Sequence, residues 1–302
     1  MSAPAILLLG RGGQVGWELE RALAPLGRVV APPRSQVDLA RPEQLRDAVR
    51  GCRPRLVVNA AAYTAVDRAE AEPEAAFAAN ATAPGVLAEE ARRAGAFLVH
   101  YSTDYVFDGS KRAPYAEGDA PNPLNVYGRS KLEGERAVQA AGGDYLVLRT
   151  SWVYGARGSN FLRTVLRLLE ERGELRVVAD QEGAPTWSRL VAEATAAVVA
   201  QGRSLRPREA GVFHLSAAGS TSWHGFATAI QRALPAAQRA KRVAAIPSAE
   251  YPTPAARPAY SVLDNGRLRR AFGIALPEWD ASLRLVLEEL AAGRGGSGTA
   301  TG

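Results

Sequence analysis

The chain has 302 residues, 47% of them hydrophobic and 23% charged, which is enough to bury a substantial core in one large or two closely joined domains. Its formal net charge of +6 comes from basic residues interleaved with acids, which indicates a solvated surface and no nucleic-acid partner. The single cysteine, Cys52, excludes an intrachain disulfide and a cysteine-based metal cluster. No apolar run approaches the roughly 18 residues of a membrane span, and the first residues suit a strand better than a signal peptide. We therefore expect a cytoplasmic protein without a membrane partner.

Short apolar runs alternate with longer amphipathic segments in the first half of the chain. The apolar runs predict strands over residues 5–9, 28–31, 56–59, 97–101 and 145–150. The amphipathic segments predict helices over residues 14–26, 42–50, 74–94 and 123–140. This alternation is typical of an α/β fold, a Rossmann-type doubly wound parallel sheet, which we assign to residues 1–150.

The second half is punctuated less regularly. It predicts helices over residues 161–171, 190–200, 223–234 and 281–291, and strands over 175–178 and 212–215. We expect residues 151–292 to form mainly a smaller α/β substrate-binding domain, with some segments joining the first domain. Residues 293–302 are rich in glycine, serine, threonine and alanine, and predict a disordered tail.

The first predicted strand runs directly into a glycine-rich loop that opens the first predicted helix. Gly10, Gly13 and Gly16 let the backbone approach a pyrophosphate, whose charge is met by free amide groups and the positive end of the helix. Glycines at this spacing also suit an ordinary tight turn. Their place after the first strand favours dinucleotide binding.

The second predicted strand ends without the acidic residue that normally binds the adenosine ribose of NAD. Arg34 lies there instead, and its guanidinium suits a 2′-phosphate. We therefore expect NADPH, while NADH stays open if Arg34 is merely a surface residue. Asp38 and Leu39, which follow, are expected at the edge of the adenine ring.

A tyrosine and a lysine lie four residues apart in a later helix. Asn122 and Pro123 are typical of an N-cap and a first helical turn, so the helix should carry Tyr127 and Lys131 on one face. A tyrosine with a reference pKa of about 10 is a poor acid or base near neutral pH. A neighbouring ammonium stabilises its charged form, so the pair predicts acid–base catalysis.

The fourth predicted strand leads into a polar segment, residues 102–109. Loops at the carboxyl ends of parallel strands line the ligand crevice, so the Thr103 hydroxyl is expected to bind the reacting oxygen. The alternative is a simple turn hydroxyl. Together with Tyr127 and Lys131, Thr103 predicts a catalytic site.

Seven segments of the chain carry a family likeness. They are residues 13–19, 58–67, 102–109, 123–128 with Lys131, 149–154, 180–181 with 183–186, and 251–255 with 257–258. On these residues the chain resembles the extended short-chain dehydrogenase/reductase superfamily and, within it, the dTDP-4-dehydrorhamnose reductases. The resemblance covers essentially the whole chain before the predicted tail.

The resemblance implies reduction of the C4 ketone of dTDP-4-dehydro-β-L-rhamnose to dTDP-β-L-rhamnose, the last step of dTDP-rhamnose synthesis. It implies that Tyr127 donates the proton, that Lys131 tunes Tyr127 and holds the ribose, and that Thr103 binds the substrate oxygen. The sugar-contacting positions that it implies are Asp104 and Trp152, to which we add Val66. The cofactor-binding positions that it implies are Gly13, Gln14, Val15, Asp38, Leu39, Ala62, Tyr63 and Thr64.

Two positions depart from the family pattern. Family members that bind NADH can carry an acid where this chain has Pro33, which favours NADPH. Some members dimerise through Mg²⁺ held by glutamates; Glu18 and Glu289 match two such positions, but Arg189 occupies a third. A guanidinium cannot ligate a cation, so we do not expect that metal-linked dimer. A monomer and a homodimer both stay open.

Two other functions stay open. A dehydratase or epimerase of the same superfamily shares the glycine loop and the Tyr–Lys pair, but dehydratases commonly place a glutamate where Tyr105 follows Asp104 here. A regulatory subunit that binds the cofactor without turnover would also keep the fold. The intact set of site residues favours the reductase.

Overall fold

The computed structural model describes residues 3–202, 206, 209–234, 236 and 241–295 and is built around a six-stranded sheet. The sheet strands are β1 (Ala5–Leu9), β2 (Arg28–Val30), β3 (Leu56–Asn59), β4 (Phe97–Thr103), β5 (Tyr145–Thr150) and β10 (Gly211–His214). They are all parallel, in the order β10-β5-β4-β3-β1-β2. The predicted α/β fold with a parallel sheet is confirmed.

In the part of the chain that the structure describes, six further strands form pairs outside this sheet. β7 (Glu174–Val178) and β12 (Arg242–Ile246) pair in parallel, as do β6 (Val153–Tyr154) and β9 (Thr186–Trp187). The antiparallel pair is β8 (Glu182–Gly183) with β11 (Thr221–Ser222). Of these strands the sequence predicted only β7. The two-residue strands β6, β8, β9 and β11 are too short to show a period, whereas the five-residue strand β12 was missed.

Helices cover both faces of the sheet. They are α1 (Gln14–Ala22), α2 (Pro42–Cys52), α3 (Val66–Ala69), α4 (Pro73–Phe77), α5 (Ala83–Arg93), α6 (Val126–Ala140), α7 (Phe161–Glu171), α8 (Ser188–Ala200), α9 (Trp223–Arg232), α10 (Gly266–Phe272) and α11 (Trp279–Gly295). One face buries Leu19 of α1 and Val191 of α8, and the other buries Leu45 of α2, Leu87 of α5 and Val138 of α6. Such two-sided cover explains why the sheet strands are nearly continuous apolar runs.

Two predicted helices are interrupted at prolines. The helix predicted over residues 14–26 ends at Ala22 and continues as a 3₁₀ turn, Ala24–Leu26, because Pro25 has no amide hydrogen to donate. The helix predicted over residues 74–94 is split by a π-helical segment, Ala78–Thr82. Pro84 cannot donate to the carbonyl of Asn80, so the wider turn absorbs the missing hydrogen bond.

The strand order places a crevice between β1 and β3. From β1 the chain adds β2 on one side and then crosses to β3 on the other, so the loops after β1 and β3 diverge. In open parallel sheets a ligand binds where this reversal occurs, outside the carboxyl ends of the strands. The glycine loop follows β1 at this point.

The second half of the chain contributes to the core of the central sheet and also forms a separate core of its own. β10 extends the central sheet. On the sheet face covered by α1, which we call the first core, α8 and α10 contribute residues such as Val198 and Phe272. A separate core gathers Tyr154, Trp187, Phe226 and Val286. The last helix runs to Gly295, past the start of the predicted tail, and residues 296–302 lie outside the described residues. No helix in the described part of the chain is both long and apolar enough to cross a membrane.

Candidate active site

The glycine loop packs tightly against the turn that follows β3. Gly10 has φ +89°, and a Cβ there would lie 2.5 Å from the amide nitrogen of Ala61. A Cβ on Gly16 would lie 2.0 Å from the Gly10 carbonyl oxygen. Gly13 is the N-cap of α1 and provides no capping side chain, so the first amides of that helix are left for a ligand. These residues therefore fit a dinucleotide pyrophosphate.

A loop from the second half lies against the glycine loop. The Asn160 side-chain nitrogen donates to Gln14 Oε1 at 2.8 Å and to the Gly155 carbonyl at 2.9 Å. Arg157 of the same loop stacks on the Trp17 ring at 3.9 Å from its centroid. Gln14 thus has a defined neighbour, while Val15 packs on the first core.

Two arginines lie near the end of β2. Arg34 is 88% exposed and pairs with Asp38 at 3.2 Å. Arg11, which the sequence analysis missed, donates to the Ala31 carbonyl at 3.3 Å, beyond the last residue of β2. The amide of Ala40 and then Arg34 hold the pKa of Asp38 below its usual value. Leu39 is partly buried and packs against the core on the sheet face covered by α2, α5 and α6.

The segment after β3 that contains Ala62, Tyr63 and Thr64 is fixed by Asn80. The Asn80 side chain accepts from the Tyr63 amide at 2.8 Å and donates to the Tyr63 carbonyl at 2.9 Å. It also donates to Ser130 Oγ on α6 at 3.0 Å. Asn80 therefore links a predicted cofactor-binding segment to the helix that carries the tyrosine and lysine, while Val66 begins α3 nearby.

Helix α6 begins three residues later than predicted. Its N-cap is Asn125, whose side chain accepts from the Gly128 amide at 2.7 Å. The predicted cap, Asn122, instead donates its side-chain amide to Asp108 at 2.9 Å, so that prediction was wrong. A carboxylate oxygen of Glu70 accepts from the Val126 amide at 2.7 Å and satisfies a second group in the first turn.

The structure brings Tyr127 together with Thr103. Burial raises the pKa of Tyr127 to about 12, although a hydrogen bond to the Thr103 side chain opposes this rise. Thr103 ends β4 and is itself buried. In the unliganded chain the phenol is therefore protonated near neutral pH, as a proton donor must be.

Lys131 lies one turn beyond Tyr127 and is 2% exposed. Its Nζ donates to the Tyr101 carbonyl of β4 at 2.5 Å. Burial lowers the pKa of Lys131 to about 8, and Glu135 opposes this fall. The ammonium is thus held against the strand that carries Thr103.

Asp104 follows Thr103 and is almost wholly buried. Burial raises its pKa to about 6, while hydrogen bonds from Ser261, Ser151 and Thr103 oppose the rise. Ser151 donates to Asp104 Oδ2 at 3.1 Å and Thr103 to Oδ1 at 3.1 Å. Asp104 therefore gathers polar groups from three separate parts of the chain.

Trp152 is held in an unusual backbone conformation, with φ +44°. Its ring stacks on Trp223 with centroids 3.5 Å apart and planes 2° apart. On Gly183 a Cβ would lie 2.4 Å from this ring, so only glycine leaves the space. Such a fixed aromatic side chain beside Ser151 suits the wall of a sugar site.

A segment of the second half, residues 253–257, crosses the amino-terminal end of α6; we call it the strap. Arg257 pairs with Asp67 of α3 at 2.7 and 3.0 Å and hydrogen-bonds the Tyr105 side chain. Asn125 donates to the Ala256 carbonyl at 2.8 Å. The sequence analysis quoted this segment but assigned no role to Arg257.

Glu18, Arg189 and Glu289 form an ion-pair cluster. Arg189 donates to Glu18 at 3.2 Å and to Glu289 at 2.7 Å. No cluster of three or more histidine, cysteine, aspartate or glutamate side chains suited to a metal occurs among the described residues. The guanidinium thus lies between the two carboxylates.

Of the predicted site residues, the structure groups Thr103, Asp104, Tyr127 and Lys131, while Arg34 and Asp38 lie together at the end of β2. Five functional candidates were not predicted from the sequence, namely Arg11, Asn80, Ser151, Arg257 and Ser261. Ser151 and Arg257 lie in two of the segments that carried the family likeness, 149–154 and 251–255 with 257–258, so the sequence held a signal for these two residues.

Comparison with known proteins places this geometry in a family. The family model described as the RmlD substrate binding domain matches residues 4–292. A protein of Burkholderia thailandensis named dTDP-4-dehydrorhamnose reductase is 53% identical over 295 residues, covering 94% of this chain and 98% of the relative. One of the same name from Escherichia coli strain K12 is 45% identical, covering 94% and 97%.

A solved structure agrees with these relatives. The dTDP-4-dehydrorhamnose reductase of Bacillus anthracis strain Ames, determined in complex with NADP, has a TM-score of 0.87 and 34% sequence identity, and covers 96% of this chain and 100% of its own. The match therefore extends over both halves of the fold. The chain belongs to the family of the RmlD substrate binding domain.

Proposed function

We propose that this chain reduces the C4 ketone of dTDP-4-dehydro-β-L-rhamnose to dTDP-β-L-rhamnose with NADPH, the last step of dTDP-rhamnose synthesis. The observation that carries the proposal is the grouping of Tyr127 with the buried Thr103 hydroxyl at the end of β4, with the buried Lys131 one turn further along α6. The relatives from Burkholderia and Escherichia named for this activity support it at 53% and 45% identity.

Each residue has a role that its surroundings support. The Thr103 hydroxyl binds the ketone oxygen beside Tyr127, and Tyr127 gives that oxygen its proton. Lys131 stabilises the resulting phenolate, because its ammonium is a buried positive charge on the same helical face. Asp104, Trp152 and Val66 line the sugar side.

The cofactor half of the crevice suits a nicotinamide dinucleotide. NADPH, when bound, supplies the hydride for the ketone carbon. Gly10, Gly13 and Gly16, with the open end of α1, receive the pyrophosphate. Arg34 and Arg11, beside the end of β2, receive the 2′-phosphate, and the structural neighbour solved with NADP supports NADP(H).

We assign the rest of the predicted cofactor site on the same basis. The remaining contacts come from Gln14, Val15, Asp38, Leu39, Ala62, Tyr63 and Thr64. Tyr63 is supported most directly, because Asn80 fixes its backbone on both sides. Residues 1–150 provide most of this site. On the sugar side they provide Val66 and Asp104, and residues 151–292 provide Trp152.

A dehydratase of the superfamily is the second candidate. Tyr105 takes the position after Asp104, and burial raises its pKa well above the usual value. This phenol stands where dehydratases of the superfamily commonly place a glutamate as acid and base, so the carboxylate for that chemistry is missing from this position. This observation favours reduction.

The test is oxidation of NADPH by the purified chain with dTDP-4-dehydro-β-L-rhamnose, followed by absorbance and product analysis. Tyr127→Phe should lower kcat by about 100- to 10,000-fold and keep cofactor affinity. Tyr145→Phe, at the start of β5, is the matched control and should keep full activity. A parent chain that consumes no NADPH with this substrate refutes the reductase, and a regulatory subunit would keep its function in Tyr127→Phe.

We also propose that this reaction needs no Mg²⁺ and takes place in the cytoplasm. Arg189 already supplies a positive charge between Glu18 and Glu289. Treatment with a chelator should change neither turnover nor sedimentation, whether the chain is a monomer or a homodimer. A chelator-sensitive oligomer would contradict this assignment.

A further inference from the structure

A buried ion pair lies behind Lys131, one turn further along α6. Glu135 is 1% exposed, and Arg149 at the end of β5 is 4% exposed. Arg149 donates to the two Glu135 carboxylate oxygens at 2.9 and 2.6 Å. The Ser102 hydroxyl of β4 donates to the same carboxylate at 2.5 Å. The carboxylate is therefore held by side chains from two neighbouring strands, β4 and β5.

Stability alone does not account for the presence of this buried ion pair. Taking two charges out of water costs about as much as their attraction returns, and apolar residues of similar volume often serve as well. Lys131 is a third buried charge, and burial lowers its pKa to about 8. Glu135 is the group that opposes this fall.

The other ionisable groups around Lys131 do not supply a negative charge. Burial and the lysine itself hold the pKa of His100 in β4 well below its usual range, so this ring is neutral. Tyr127 is protonated, because burial raises its pKa to about 12. On the strand side, Arg149 is engaged by Glu135 and contacts His214, whose pKa burial lowers to about 3.

We propose that Glu135 is a positioning residue for Lys131. Its carboxylate, fixed by Arg149 and Ser102, is the counter-charge that keeps the buried ammonium protonated beside Tyr127. The Ser102 contact also sets the distance between α6 and the end of β4. The effect on turnover rests on the proposed reductase function, whereas the effect on the ionisation of Lys131 does not.

The proposal is tested by titrating Lys131 directly in the full-length chain. The sequence has only three lysines, Lys111, Lys131 and Lys241, so lysine labelled with ¹³C and ¹⁵N gives three side-chain signals. The variant Lys131→Arg assigns the signal in question. The ionisation of Lys131 is then read by NMR from pH 6 to pH 11 without cofactor or substrate.

Two variants and one control are needed. Glu135→Gln removes the charge but leaves the Arg149 guanidinium buried without its ionic partner, so the double variant E135Q/R149M removes both charges. Glu90→Gln is the matched control, because Glu90 is equally buried and accepts from Arg50 at 2.8 and 2.9 Å on another helix. This control removes the charge of an equally buried carboxylate away from Lys131, although its partner Arg50 is 57% exposed.

We expect Lys131 to titrate near pH 8 in the parent and in E90Q, and about one pH unit lower or more in E135Q/R149M. The alkaline limb of the kcat profile should move to lower pH by the same amount. Equal titration of Lys131 in the parent and the double variant would overturn the proposal. So would a kcat reduced by one factor at every pH, since that is the mark of a purely structural role. A parent without turnover would refute the reductase and leave the titration result to decide this inference.

Discussion

Asp67 and Arg257 lie 190 residues apart in the chain and form a bidentate ion pair at 2.7 and 3.0 Å. Arg257 holds the pKa of Asp67 below its usual value, against the effect of burial. The pair ties α3 of the first half to the strap of the second half. The strap in turn reaches the N-cap of the helix that carries Tyr127.

Breaking this pair should loosen the sugar site more than the fold. We expect Arg257→Met to lower kcat/KM for the nucleotide sugar about 10-fold, mainly through KM, and to reduce the free energy of unfolding by only about 1 kcal/mol, because Asp67 is partly exposed. Steady-state kinetics and urea unfolding measure both effects. Glu171→Gln, which breaks the exposed pair with Arg167, is the control. Equal kinetics in the two variants would contradict a role for the strap.

The ionisation of Asp104 should appear in the stability of the chain. Its folded pKa of about 6 lies above the unfolded value of 3.8, so its contribution is complete below pH 3.8 and is lost as the pH rises through 6. Asp104→Asn removes this dependence and should gain up to about 3 kcal/mol relative to the parent between pH 4 and pH 7.

Urea unfolding at several pH values tests this expectation. Asp108→Asn is the control of opposite sign, because hydrogen bonds from Ser110 and Asn122 lower the pKa of Asp108. That variant should lose stability relative to the parent as the pH rises towards the unfolded value of 3.8, and the difference should then stay constant up to pH 7. If the stability of Asp104→Asn and that of the parent changed in parallel with pH, the pKa of Asp104 would not be raised in the folded chain.

The cap of α6 should matter for both stability and turnover. Asn125→Ala removes the acceptor for the Gly128 amide and the donor to Ala256, so we expect a loss of about 1–2 kcal/mol and a lower kcat. Ser222→Ala removes the equivalent cap of α9 and should cost similar stability with unchanged kcat. If both variants kept the parental kcat, the cap would not position Tyr127.

The position of Trp152 depends on the absence of a side chain at Gly183. Gly183→Ala places a methyl group 2.4 Å from the indole, which is already pressed against Trp223. We expect the ring to turn and KM for the nucleotide sugar to rise about 10-fold or more, with NADPH affinity unchanged. Gly173→Ala has open space at its Cβ and serves as the control. An unchanged KM would show that Trp152 does not line the sugar site.

The two arginines near β2 should set the preference for NADPH. Arg34→Ala combined with Arg11→Ala should lower kcat/KM for NADPH at least about 10-fold, since each guanidinium contact to a phosphate is charge-assisted, and should leave the value for NADH nearly unchanged. Arg167→Ala, on the outside of α7, controls for the loss of positive charge. Equal losses with both cofactors would show that these arginines do not bind the 2′-phosphate.

Local patterns predicted the parts of the site that depend on neighbouring residues. The glycine loop, the end of β4 and the spacing of Tyr127 and Lys131 are all short-range features, and the fold they imply is confirmed. The N-cap of α6 was wrongly predicted at Asn122 because two asparagines precede the helix. Only the tertiary contact of Asn122 with Asp108 decides which of the two caps it. Ser261 and Arg257 reach the site from more than a hundred residues away, so no local period or spacing predicts them.

Because the chain is synthesised from its N-terminus, one edge of the central sheet is completed late. β10 closes the side of β5, yet it begins at Gly211, long after β5 has ended at Thr150. At about 5–20 residues per second, the ribosome takes roughly 3–12 s to add the intervening segment. During that time the nascent chain presents β5 as an open strand edge, which is a template for pairing with other chains. A ribosome stalled between these two strands would leave this edge open for as long as the stall lasts.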